Sequence, residues 1–242
     1  MAPSSGRRFS PRGAWSEIPP EATRTEVRRA FGRWGRPERF RVDNGVPWGS
    51  SGDLPTDLSL WLIGLGIGMI WNPPRSPQDN GVVERSQGTA KRWAEPQTCS
   101  SPEELQGRLD RMDVIQRAEY PSIGGRSRLE AFPGLKHSGR GYTSAREESS
   151  WNLSMVYEHL SGYAVSRRVD VSGKTSIYNR YYYVGIIHKE KCVFVMLDPE
   201  VGEWVFTDER GQQLRRRPTI ELSRENILAL TVTRRRKGTF EQ

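Results

Sequence analysis

The chain is 242 residues long and 35% hydrophobic, with a mean hydropathy of −0.71 and a formal net charge of +8. That length allows one large or two modest domains, each with a buried core. No run of eighteen apolar residues occurs, and the start "MAPSSGRRFSPRG" has no apolar centre, so neither a membrane partner nor a secretory signal is expected and the expected location is the cytoplasm.

Two cysteines, Cys99 and Cys192, and three scattered histidines, His137, His159 and His188, lack the spacing of a zinc site or a disulfide framework. The charge is more informative. Residues 1–42 carry ten Arg against four Glu and no Asp, and the end of the chain holds the runs "RRRP" and "RRRK". Any one basic run is ordinarily a solvated tail. Two basic ends around a less basic middle point to a polyanion, because the guanidinium fork matches phosphate.

In chain order, residues 1–20 are rich in Pro, Gly, Ser and Arg and are expected to be disordered. Thr23 and Glu26 have capping-box spacing, and Val27, Ala30, Phe31 and Trp34 recur at helical intervals, predicting a helix from about Ala22 to Trp34 that Gly35 ends. "RFRV" is a short strand ending at Asp43. Leu54, Leu58, Trp61, Leu62 and Leu65 mark a second helix with one packed face, and "GMIWN" a buried strand. A third helix opens near Asn80 with Val83, Ser86, Ala90 and Trp93 inward. Ser101, Pro102 and Glu104 then open a fourth through Leu105, Leu109 and Met112. Helices alternating with strands define an α/β class.

Residues 133–153 turn polar and Gly-rich and are expected to be a linker. Beyond it, "YAVSRRVDV", "SIYNRYYYVGII", "CVFVML" and "EWVFTD" are β-rich runs between turn signals. About five strands over residues 154–232 predict a small antiparallel β-barrel able to fold alone, followed by a basic tail at 233–242.

Two acids carry the chemical interest. Asp43 lies in "RVDNG" and Glu84 in "NPPRSPQDNGVVE". A "DNG" alone is more often a hairpin turn, and a Glu in a first helical turn is more often a partner for the helix dipole. Here, however, Asp43 ends a strand in an α/β context, where ligand carboxylates face an open crevice. Lys91 follows Glu84 by seven residues, two turns along the same face. A carboxylate for a hard cation beside a cation for phosphate suits phosphoryl transfer.

"RVDNG" followed by "LGIGMIWNPPRSPQDNGVVERSQGTAKRW" resembles the catalytic core of the integrase-like DDE transposases of bacterial insertion sequences, and "YYYVG" with "RRRKG" is similar to the C-terminal domain of one branch of them. The resemblance implies a ribonuclease-H-like core over 21–132, with Asp43 as the second acid and Glu84 as the third. It also implies Mg2+ or Mn2+ on those two residues and double-stranded DNA, as transposon ends and target, for partner, with self-association into a homo-oligomer. Arg85, Lys91, Arg92, Arg215, Arg216, Arg217, Arg234, Arg235 and Arg236 would face phosphates, while Asn80 and Gly81 would shape the loop that aims Glu84. Forty residues separate the two acids, more than the family's usual interval, with the excess in "VPWGSSGDLP". No Asp precedes Asp43, so the first acid and the opening strands that would hold it are missing from the family pattern. The core is then partial, with "RFRV" and "GMIW" left with open edges. Three functions follow as expectations: a transposase with an incomplete active site, a recombinase completed in trans by an upstream segment, and a non-catalytic DNA-binding or assembly protein.

Overall fold

The computed structural model describes residues 19–49, 53–73 and 81–233. Helix α1, Pro20–Trp34, starts on the "PP" pair: Pro20 needs no N–H partner in the first turn and its ring presets the helical φ. Thr23 therefore lies inside the helix, and the expected Thr23–Glu26 box does not form. Gly35, at φ 76°, ends the helix as predicted.

Strands β1, Arg39–Val42, and β2, Gly68–Trp71, pair in parallel, with Arg39 opposite Gly68 and Val42 opposite Trp71. Between them runs α2, Asp57–Gly64. Its eight residues are all buried, which corrects the expectation of one packed face. The reason lies far along the chain: α2 packs on α7, Leu153–Ser161, and α8, Arg224–Leu228, as well as on β2. A helix covered on every side is apolar all round.

Helix α3, Gly81–Ala94, pairs with α4, Pro102–Val114. The predicted inner stripe is only partly so. Ser86 and Trp93 are exposed, Ala90 is half-buried, and Ala94 is fully buried. Val83 lies outside the described side chains. Ser101 caps α4 by accepting from Glu104 N–H at 3.2 Å, but the Glu104 carboxylate returns to Ser100 rather than Ser101. A π-helical turn, Ile115–Glu119, and the short α5, Arg128–Ala131, follow.

Residues 133–153, expected as a linker, are stitched to both flanks, on the C-terminal side by Arg224, which donates to Trp151 C=O at 3.1 Å and to Glu148 C=O. Arg140 donates to Pro37 C=O at 2.6 Å and Gly66 C=O at 2.9 Å, and Ser138 N–H to Trp34 C=O at 2.8 Å. Within α6, Ser144–Ser150, Glu147 is buried, and Trp151 seats its indole on Gly64 and donates to Trp61 C=O at 3.0 Å.

Beyond α7 the strands are β3 Val165–Arg168, β4 Lys174–Ile177, β5 Arg180–Tyr183, β6 Cys192–Asp198, β7 Glu203–Thr207 and β8 Gln213–Pro218. β3-β6-β7-β8 form an antiparallel sheet and β4-β5 a separate antiparallel hairpin. The strands are antiparallel as expected, but the sheets do not close into a barrel. Arginine side chains bridge the gap: Arg215 donates to Val184 C=O at 3.3 Å, and Arg217 to Tyr183 C=O at 3.4 and 3.3 Å. Carbonyls of the β5 end are thus met by guanidinium groups rather than by the backbone of β8.

The run "SIYNRYYYVGII" is two strands, not one. Tyr178 and Asn179, at φ 47° and 60°, make the two-residue turn that the twist of a hairpin favours. One hydrophobic cluster runs from Val27 and Phe31 of α1 through α2 to Trp204, Phe206, Ile227 and Val232. No helix of the described residues is long and apolar enough to cross a membrane.

Candidate functional site

Because β1 and β2 are parallel and in register, their carboxyl ends open at one edge. Asn72 N–H donates to Val42 C=O at 2.9 Å and Asn44 Nδ2 to Asn72 C=O at 2.7 Å, so the two exits are tied together. Asp43 stands at this edge, exposed, with Oδ1 accepting from Gly45 N–H at 3.1 Å. A Cβ on Gly45 would lie 3.4 Å from both carboxylate oxygens, so the glycine leaves the acid room to fold over the turn. The turn is held from below: Trp48 C=O accepts from Ser59 Oγ at 3.0 Å, Thr56 Oγ1 at 3.2 Å and Trp71 Nε1 at 3.4 Å.

Glu84 lies in the first turn of α3, exposed, with Arg85 beside it, and exposed Lys91 and Arg92 occupy the last turn. Seven residues of helix place Lys91 about 10 Å along the axis from Glu84. Gly81 opens the helix with nothing within 4 Å of where a Cβ would be. Asn80, Arg234, Arg235 and Arg236 lie outside the described residues.

Two hard cations bridging an entering and a leaving oxygen require a larger oxygen set than two carboxylates supply. Among the described residues no group of three or more His, Cys, Asp and Glu comes together. Asp43 and Glu84 by themselves do not fit a two-metal centre.

The "RRRP" arginines are not alike. Arg216 points to the outer face of the sheet and pairs with Glu203 at 2.8 Å and with Asp198, so its charge is neutralised locally. Those two acids hold that guanidinium and keep its pKa raised. Arg216, expected to face a phosphate, stands at the centre of an ion-pair triad. Among the described residues, Arg215 and Arg217 bond neutral carbonyls and make no ion pair, so their charge stays available.

Sequence reasoning missed two features. One is the buried Glu147, which takes donors from Arg28, Trp61 and Tyr142; nothing in "SAREESS" marks it. The other is the exposed tyrosine face of β5, whose signal was the run "RYYYVG" once split by its turn. No family model matches the chain.

Proposed function

We propose that this chain derives from an integrase-like DDE transposase, binds double-stranded DNA, and carries an incomplete set of catalytic acids. The observation that supports it is the shared edge. Asp43 leaves β1 at the same end at which β2 delivers the chain into "NPPRSPQDNGVVE", and Glu84 follows in the first turn of the next helix. On this reading β1, α2, β2 and α3 are the remnant of a ribonuclease-H-like core, and the antiparallel sheets are an opened version of a small C-terminal barrel. Mg2+ or Mn2+ would be held by Asp43 and Glu84 once a further acid joins them. Arg85, Lys91, Arg92, Arg215 and Arg217, with Arg234, Arg235 and Arg236 of the basic tail, are the cations proposed for phosphate.

Purified chain with Mg2+ or Mn2+ and an end-labelled duplex is expected to bind the duplex and to leave it uncut. Because such binding acts through counterion release, affinity should fall steeply between about 50 and 200 mM salt. Absence of binding at the lower salt would remove the reading. Cleavage lost in both Asp43→Asn and Glu84→Gln would show instead that the site is completed, by Glu17, an acid that precedes the first helix in sequence, or by a second subunit.

A further inference from the structure

The β4–β5 hairpin turns a different face to each side of its sheet. Thr175, Ile177 and Tyr182 are buried. Tyr182 packs at 5.9 Å on the ring of Phe206, and its hydroxyl is held by Glu221. With Tyr182 fixed inward, strand alternation sends its neighbours outward. Tyr181 is 72% exposed and Tyr183 43%. Across the hairpin, Ser176 stands opposite Tyr181 and Lys174 opposite Tyr183.

The charge around this face is mainly positive. Between residues 165 and 191 the basic residues are Arg167, Arg168, Lys174, Arg180, Lys189 and Lys191, and the acids are Asp170 and Glu190. Asp170 is occupied within its own turn, accepting from Ser172 N–H at 2.8 Å, Ser172 Oγ at 2.7 Å and Lys174 N–H at 2.9 Å. Arg167 is spent on Asp53 at 2.7 Å. Lys174, Lys189 and Lys191 are exposed and make no ion pair among the described residues. Arg215 and Arg217 arrive from β8 at the Tyr183–Val184 backbone.

Aromatic rings on a rigid strand between free cations make a stacking platform with a phosphate-binding border. Spacing narrows the ligand. Two residues along a strand are about 7 Å apart, twice the rise of about 3.4 Å between stacked bases. Bases resting on both rings are therefore unstacked from each other, a state open to a single strand and closed to an intact duplex.

We infer that the outward face of the β4–β5 hairpin, Tyr181 and Tyr183 with Lys174 and Arg217, binds an unpaired DNA strand with a base on each ring. This rests on the DNA-binding reading and adds to it a separate site for the frayed or displaced strand. The exposed Ile186 and Ile187, at 61% and 76%, follow the hairpin, and Ile186 N–H donates to the Tyr183 hydroxyl at 3.4 Å.

The test is a fluorescence-anisotropy titration of the full chain with an oligothymidylate about twelve nucleotides long and, separately, a duplex of the same length. Tyr181→Ala and Tyr183→Ala should each weaken oligothymidylate binding by between about fivefold and a hundredfold, leave duplex binding within about twofold, and keep the melting temperature. Tyr181→Phe, which retains the ring, should bind as wild type. Equal losses on both DNAs, or no loss on oligothymidylate, would overturn the inference. So would a variant that changes the sedimentation of the free chain, which would make the face a contact between protein copies. Wild type that binds duplex but not oligothymidylate defeats this inference alone, and binding to neither defeats the DNA-binding reading as well.

Discussion

Glu147 gathers donors from three other parts of the fold: Arg28 Nε at 2.9 Å and Nη2 at 2.5 Å, Trp61 Nε1 at 3.1 Å, and the Tyr142 hydroxyl. Burial pushes its carboxyl up, but the Arg28 bonds, with Tyr142 and Trp61, outweigh burial and hold it below the ordinary 4.5. Burial, and after it the bond to Glu147, pushes the Tyr142 phenol up to about 12. A carboxylate whose folded pKa is depressed contributes stability that is complete above its unfolded pKa and lost as pH falls through the folded one. Glu147→Gln should thus cost about 2–3 kcal/mol at pH 7, less than for a fully buried pair because Arg28 is a third exposed. The deficit should shrink as pH falls below 4.5, checked by urea unfolding of both proteins at neutral and acid pH; a deficit that does not change would refute the ionic account. Glu221 has the opposite sign. Burial raises it despite bonds from Tyr182 and Trp204, so its contribution is lost as pH rises through the folded value.

Among the elements, α2 shows a packing constraint that composition hides. Its last residue, Gly64, faces the Trp151 indole, and a Cβ there would lie 2.1 Å from Cε2. Ala normally favours a helix over Gly by about 1 kcal/mol. Here the clash outweighs that gain, because Trp151 is anchored by its N–H to Trp61 C=O and by Asn152 N–H to Gly64 C=O. Gly64→Ala should lose about 1–2 kcal/mol net, and a thermal melt at or above wild type would refute the packing argument. The periodic elements α1, β1, β2 and α4 were legible because apolar spacing and caps are local signals. β8 was not: "QLRRRP" reads as a basic run, yet an edge strand bonded on one side tolerates charge and a terminal Pro. Nor was α7, where Leu153, Val156 and Leu160 keep helical spacing behind an Asn152 cap. In the site, the sequence located the Asp43 edge and the start of α3, whereas the neutralisation of Arg216 depends on a strand partner far away in sequence.

Across the molecule, the C-terminal sheets and the N-terminal helices share one core and are latched at several points. Asp57, buried at the start of α2, accepts from Val232 N–H at 2.6 Å and from Thr233 N–H and hydroxyl, while Asn179 Nδ2 donates to Thr233 C=O at 2.6 Å. Arg24 of α1 reaches Leu228 C=O of α8. Helix α7, with Val156 and Leu160 buried, divides its cover between α2 and β6, and α8 buries Ile227 beside α2. The expectation that residues 154–232 fold alone meets this arrangement directly. Removing α2 uncovers several large apolar side chains, each worth about 1.5–3 kcal/mol when fully buried, and frees the backbone N–H groups that Asp57 holds. A loss on the order of 5 kcal/mol rivals the whole stability of a small domain. The isolated 154–232 fragment should therefore lack a cooperative melt at the temperature where the full chain unfolds, and Asp57→Ala in the full chain should lower its melting temperature in one transition rather than release the C-terminal part separately. Calorimetry of the three proteins decides it: a fragment melting cooperatively at the full-chain temperature would show that the strands need only each other, and that the α2 contacts join two finished units instead of completing one.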